Sequence, residues 1–164
     1  MTSGRAIFLI GVSGCGKSTI GELLASKMKL ALLEGDDFHP EENIRKMSEG
    51  TPLTDNDRWP WLKVLAHRVN LHVRGADVVV TCSALKASYR KFLKKSIDRE
   101  IVWIALNGDK KLLRTRMQKR DHFMPEDLLQ SQLSTWEPPE QALNFDISES
   151  PSEIVDGIIS KLEI

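Results

Sequence analysis

The residues best equipped for chemistry stand near the N-terminus, where Gly11-Val12-Ser13-Gly14-Cys15-Gly16-Lys17-Ser18 satisfies the spacing GxxxxGK[ST]. Its three glycines allow a tight turn in which successive backbone N–H groups converge on phosphate oxygens at the positive end of a following helix. The pattern predicts a nucleoside triphosphate site built from Gly11, Ser13, Gly14, Cys15, Gly16, Lys17, Ser18 and Thr19. Lys17 would bridge the β- and γ-phosphates of ATP, and the Ser18 hydroxyl would ligate Mg²⁺. The alternative is a glycine-rich turn that holds no ligand. Cys15, beside Lys17 at the expected helix start, is a candidate for an oxidation-sensitive thiol, against the plainer reading of a small tolerated side chain.

A second set of polar groups follows the second and third apolar runs, where ligands bind in open α/β sheets. Asp36 could accept the proton of an attacking hydroxyl or hold a Mg²⁺-bound water, or it could only shape a turn. Asp37 is the less favoured neighbour. His39 could donate to a substrate oxygen or orient the same turn. Arg58 could clamp a carboxylate through paired hydrogen bonds, or it could pair with Asp55 or Asp57 at the surface. Ser83 and Lys86 bring a hydroxyl and an ammonium after the third run, with an ordinary helix start as the alternative. The cluster Arg114, Arg116, Lys119, Arg120 and His122 reads as a lid closing over the nucleotide, or as a solvated basic helix end. Arg116 and Arg120, one helical turn apart, are the preferred catalytic pair. His67 and His72 face apart on one expected helix and are read as structural.

These groups need a scaffold, and strand-length apolar runs alternate with helical periodicity throughout. Ala6 to Ile10, Leu30 to Leu33, Val78 to Cys82, Ile101 to Leu106 and Ala142 to Ile147 read as strands. Helices are expected over Ile20 to Met28, Glu41 to Ser48, from near Pro60 with Asp57 as cap to Gly75, Lys86 to Lys95, Asp109 to about Lys119, and Pro125 to Ser134. A last helix carries Ile154, Val155, Ile158, Ile159 and Leu162. Such alternation predicts an α/β three-layer sandwich with a parallel sheet covered on both faces.

The 164 residues suit a single domain, and the 23 basic and 23 acidic side chains cancel. That balance argues against a protein that holds nucleic acid or an anionic membrane through bulk positive field. Apolar runs fall far short of a membrane span, and two distant cysteines offer no disulfide framework. The chain is therefore expected to be complete and cytoplasmic. A regulatory GTPase would need a guanine-reading motif that Asn107-Gly108-Asp109 does not supply, and no apolar strand ends in the aspartate usual in motor ATPases. A small-molecule kinase fits better.

Four blocks then carry a family resemblance: GVSGCGKST, EGDDFHPEENIRKMSEGTPLTDNDRWPWL, CSALKASYR and HFMPEDLLQSQLSTWEPPE. Together, from about Ile7 to Ile159, they resemble the gluconate kinase (gluconokinase) family. The resemblance implies a nucleoside-monophosphate-kinase-like fold with five parallel strands, a lid over about residues 114–140 and an acceptor-binding segment over about 35–62. It further implies transfer of phosphate from ATP to D-gluconate, Mg²⁺ as cofactor, entry of the product into the pentose phosphate pathway, and a homodimer. Asp36 would be the acid or base, and His39, Arg45, Arg58, Ser83, Lys86 and His122 would surround gluconate. The family carries Gly where Asp121 stands and Leu where Trp136 stands, and its lid is one residue longer. A kinase for another small hydroxy acid such as shikimate, and a nucleotide-binding module without transfer activity, are the rival readings.

Overall fold

The computed structural model describes residues 4–12, 14–118 and 126–163. Five parallel strands form its sheet: β1 (Ala6–Ile10), β2 (Ala31–Glu34), β3 (Val78–Thr81), β4 (Ile101–Asn107) and β5 (Leu143–Asp146), in the order β2-β3-β1-β4-β5. β1 is central because it is apolar at every position and therefore tolerates burial on both faces. Its register places Ala6 opposite Val78 on one side and Ile101 on the other. Ile7, Phe8, Leu9 and Ile10 lose all exposure, and burial of each such side chain is worth about 1.5–3 kcal/mol.

The helices are α1 (Lys17–Met28), α2 (Glu41–Ser48), α3 (Asp55–His72), α4 (Ala87–Ser96), α5 (Lys110–Gln118), α6 (Glu126–Thr135) and α7 (Pro151–Leu162). The expected α/β sandwich with five parallel strands is present. One unexpected element, a 3-10 turn over Gly35–Phe38, directly extends β2. A Cβ at Gly35 would lie 2.2 Å from the carbonyl oxygen of Thr81, so only glycine lets this turn fold against the end of β3.

α3 starts earlier than its sequence indicates. It begins at Asp55 with Thr54 as cap, not near Pro60 with Asp57 as cap, and Pro60 lies inside it. The Thr54 hydroxyl accepts from the Asp57 N–H at 3.1 Å while the Asp57 carboxylate accepts from the Thr54 N–H at 2.9 Å. This reciprocal box satisfies two first-turn donors, which outweighs the single bond that Pro60 removes. The Thr54 N–H, followed by Lys46 at 2.9 Å, lowers the Asp57 carboxyl to about 2. The longer helix carries Arg58 and Trp61 as buried residues rather than leaving Arg58 in a loop.

Candidate active site

The carboxyl ends of β1, β2 and β3 converge on one corner of the molecule, and each contributes the first residues of a loop. After β1 the chain turns through Gly14 and Gly16, and Gly16 caps α1 at φ 91°. A residue with a Cβ is strained at that angle. Gly16 also has no side chain to cap the helix, which leaves the first N–H groups of α1 to an anion. Lys17 folds across the loop, its Nζ donating to the carbonyls of Gly11 at 2.9 Å and Val12 at 3.1 Å. Cys15, 1% exposed, is enclosed here, which removes the access that an oxidation-sensitive thiol requires.

Next to Lys17, the Ser18 hydroxyl donates to Glu34 Oε2 at 3.0 Å, and the Thr81 hydroxyl donates to the same oxygen at 2.7 Å. Glu34 and Thr81 are register partners at the ends of β2 and β3. The carboxylate that sequence reading missed at the end of β3 therefore comes from β2. An acidic residue closing the run Leu30 to Leu33 was its only signal. A hydroxyl is a hard oxygen donor that suits Mg²⁺, so Ser18 would hold the ion and the Glu34 carboxylate, bonded to that hydroxyl, would orient it.

On the other side of Lys17 lies a cavity also lined by Asp36, His39, Met47, Arg58, Trp61, Ser83, Leu85, Ser131 and Gln132. The fold thus brings five of the predicted residues, Lys17, Asp36, His39, Arg58 and Ser83, to one space. The Ser83 carbonyl accepts from the Gly11 N–H, joining this wall to the phosphate loop. His39 is buried and stacks on Trp61 with ring centroids 4.0 Å apart. Trp61 is in turn held by its Nε1 donating to the Gly35 carbonyl at 2.7 Å.

Arg58 is held from behind. Its Nη1 donates to the Tyr89 hydroxyl at 2.9 Å, the hydroxyl donates to Asp55, and Asp55 accepts from Lys86 at 3.0 Å. The bond from Tyr89, then that from Lys86, lowers the Asp55 carboxyl below its ordinary range, while Asp55 raises Lys86. Desolvation, followed by the bond to Asp55, raises Tyr89. Lys86 consequently lines an adjoining cleft with Asp55, Tyr89 and Thr135 rather than the cavity of Asp36. Nor is Arg45 brought to that cavity: its exposed side chain pairs with Glu49 at 3.7 Å. Met47, two positions on, faces the cavity instead, because residues two apart on a helix point in different directions.

α6 supplies Ser131 and Gln132, which lie inside a block that carries the family resemblance but have no individual signal. The chain after it is clamped: Glu137 N–H donates to Leu85 O, Ala87 N–H to the Glu137 carboxylate, and Arg90 to the Glu137 carbonyl. Trp136 packs against Arg90, whose guanidinium lies 5.7 Å from the ring centre. Arg116, at the end of α5, donates to the Ile147 carbonyl and joins Gly14, Cys15, Gly16, Thr19, Pro151 and Ile154 around a groove beside the phosphate loop. Ser13, Arg120 and His122 lie outside the described residues.

A phosphate loop whose lysine opens into a separate polar cavity defines a P-loop small-molecule kinase, and the family model for shikimate kinase matches residues 13–163. Within that class the chain belongs to the gluconokinase family. It is 43% identical to a probable gluconokinase of Dictyostelium discoideum, over 96% of this chain and 86% of that one. It is 41% identical to the thermosensitive gluconokinase of Escherichia coli strain K12, over 84% and 74% respectively. The crystal structure of a gluconokinase from Sinorhizobium meliloti 1021 superposes with a TM-score of 0.88 at 43% identity, covering 99% of this chain and 94% of that one. No helix among the described residues is long and apolar enough to cross a membrane.

Proposed function

We propose that this protein transfers the γ-phosphoryl group of ATP to the terminal hydroxyl of D-gluconate, giving 6-phospho-D-gluconate. The observation that carries the reading is the shared wall: Lys17 belongs to the phosphate loop and also lines the cavity of Asp36, His39, Arg58 and Ser83. A donor nucleotide on the loop and an acceptor in the cavity would meet at that ammonium. Gluconate, a polyol with one carboxylate, matches a cavity that offers a guanidinium, an imidazole, hydroxyls and an amide. The curated relatives named gluconokinase support gluconate over shikimate, although a carboxylate clamp such as Arg58 would serve either acid.

Phosphoryl transfer asks little covalent chemistry of a protein, so positioning and charge carry the rate. Lys17 would neutralise the transferring group, Asp36 would accept the hydroxyl proton, and Arg116 would hold the nucleotide from the groove beside the loop. Mg²⁺, when bound, neutralises charge on the β- and γ-phosphates. Ser18 would ligate it and Glu34 would fix its surroundings. The segment over about 114–140 would act as lid and that over about 35–62 as acceptor-binding segment. Residence in the cytoplasm, assembly as a homodimer and a place in the pentose phosphate pathway complete the reading. Two buried free cysteines, Cys15 and Cys82, accord with a reducing compartment.

A coupled ADP-release assay with gluconate, shikimate and other sugar acids tests the proposal. Turnover dependent on gluconate is expected. Preference for another acid would replace the substrate, and no acceptor-dependent turnover would leave a nucleotide-binding module. Tyr89→Phe should raise KM for gluconate about 10-fold with KM for ATP unchanged, the value of one hydrogen bond to a charged group. An unchanged gluconate KM would separate Arg58 from acceptor binding.

A further inference from the structure

Asn43 is almost fully buried, 2% exposed, on α2. Its Nδ2 donates to the Asp57 carbonyl at 2.9 Å and lies 3.1 Å from His39 Nδ1. A carbonyl oxygen can only accept, so the amide nitrogen, not its oxygen, must face Asp57. That leaves the second Nδ2 hydrogen for His39, and Nδ1 must receive it with a lone pair. In the neutral ring the proton then resides on Nε2. Trp61 stacked on the imidazole at an interplanar angle of 19° holds the ring in plane.

His39 Nε2 lies 3.6 Å from Asp36 Oδ1, too far for a direct hydrogen bond, and both residues line the cavity that contains Lys17. One fixed donor and one carboxylate acceptor side by side match a hydroxyl, which accepts one hydrogen bond and donates another. We infer that Asn43 is a positioning residue that locks His39 in the Nε2–H tautomer, so that His39 donates to an acceptor hydroxyl whose own proton points at Asp36. This rests on the kinase reading above for the identity of the hydroxyl, but the tautomer itself does not. It also assigns His39 a role distinct from that of a base: its only lone-pair nitrogen is turned away from the cavity and occupied by Asn43.

Long-range ¹H–¹⁵N correlation spectra of the imidazoles give the direct test. The neutral form of wild-type His39 should show a bare Nδ1 and a protonated Nε2, and saturating gluconate should shift Nε2 while leaving Nδ1 in place. A protonated Nδ1 in that form would overturn the inference without any variant being made. Asn43→Ala should then mix the two tautomers and raise KM for gluconate about 3- to 10-fold, the worth of one neutral hydrogen bond, with KM for ATP within twofold. His39→Gln, which restores an N–H donor at a similar reach, should keep more gluconate affinity than His39→Leu. Equal losses in those two, or an Asn43→Ala protein with an unmixed spectrum and unchanged gluconate KM, would also overturn the role. Wild-type protein that neither binds nor phosphorylates gluconate would instead remove the sugar-acid reading, leaving the tautomer to stand or fall on the spectrum.

Discussion

Lys17→Ala is expected to lower kcat by about 10³-fold or more, with a much smaller change in KM for gluconate. One well-placed donor aimed at developing charge is worth about 10²–10³ in rate, and Lys17 adds a full positive charge to its donors. Its Nζ already rests on the carbonyls of Gly11 and Val12, so the ammonium is held at the loop mouth. On nucleotide binding it would exchange those carbonyls for phosphate oxygens. Asp36→Asn should cost far less, because a loose transition state leaves most of the proton on the attacking hydroxyl until late. Single-turnover rates separate the two: equal losses would mean that proton removal limits the step and that the site works through base catalysis. Melting temperatures should stay close to wild type for both, since neither side chain belongs to the apolar core.

The second large effect is expected at Glu34. Glu34→Gln keeps an oxygen that can accept from Ser18 and Thr81, so the ends of β2 and β3 should remain joined. What it removes is a negative charge next to the hydroxyl that would hold Mg²⁺. Partners just outside a metal's ligand shell commonly contribute about 10–100-fold to affinity or activity, and the same range is expected here in kcat. The accompanying sign is a rise in the Mg²⁺ concentration needed for half-maximal rate, measured at fixed ATP. A variant with lowered kcat but an unchanged Mg²⁺ requirement would tie Glu34 to strand pairing alone.

Much of this site can be read along the chain because its parts are local. The phosphate loop needs only its glycines, Lys17 and Ser18 in order, and the apolar run before it and the periodic stripe after it are enough to place it between strand and helix. Asp36, His39 and Ser83 are legible for a related reason. They follow strands, and parallel strands deliver their carboxyl ends to one edge. Local pattern puts the start of α3 too late because proline at a first helical position is a strong local signal, whereas the Thr54 and Asp57 box that overrides it is a pair of weaker ones. The family resemblance implies Arg45 in the site, yet the direction in which α2 presents its faces turns it to solvent.

The remaining features depend on contacts between residues far apart in sequence. Glu34 serves Ser18 only because β2 pairs with β3, 47 residues away along the chain at Thr81. Tyr89 reaches Arg58 across 31 residues, and Ser131 and Gln132 reach the cavity because the chain after α6 is bonded to the start of α4. Asn43 reads as an ordinary helical polar residue until packing buries it between His39 and the first turn of α3. Sequence alone determined the phosphate loop, the α/β class and the family, since each rests on short-range pattern. Tertiary structure decided the strand order, the carboxylate companion of the Ser18 hydroxyl, the burial of Asn43 beside His39 and which basic side chains enter the cavity. These follow from sheet pairing and burial, which bring together groups that no local pattern connects.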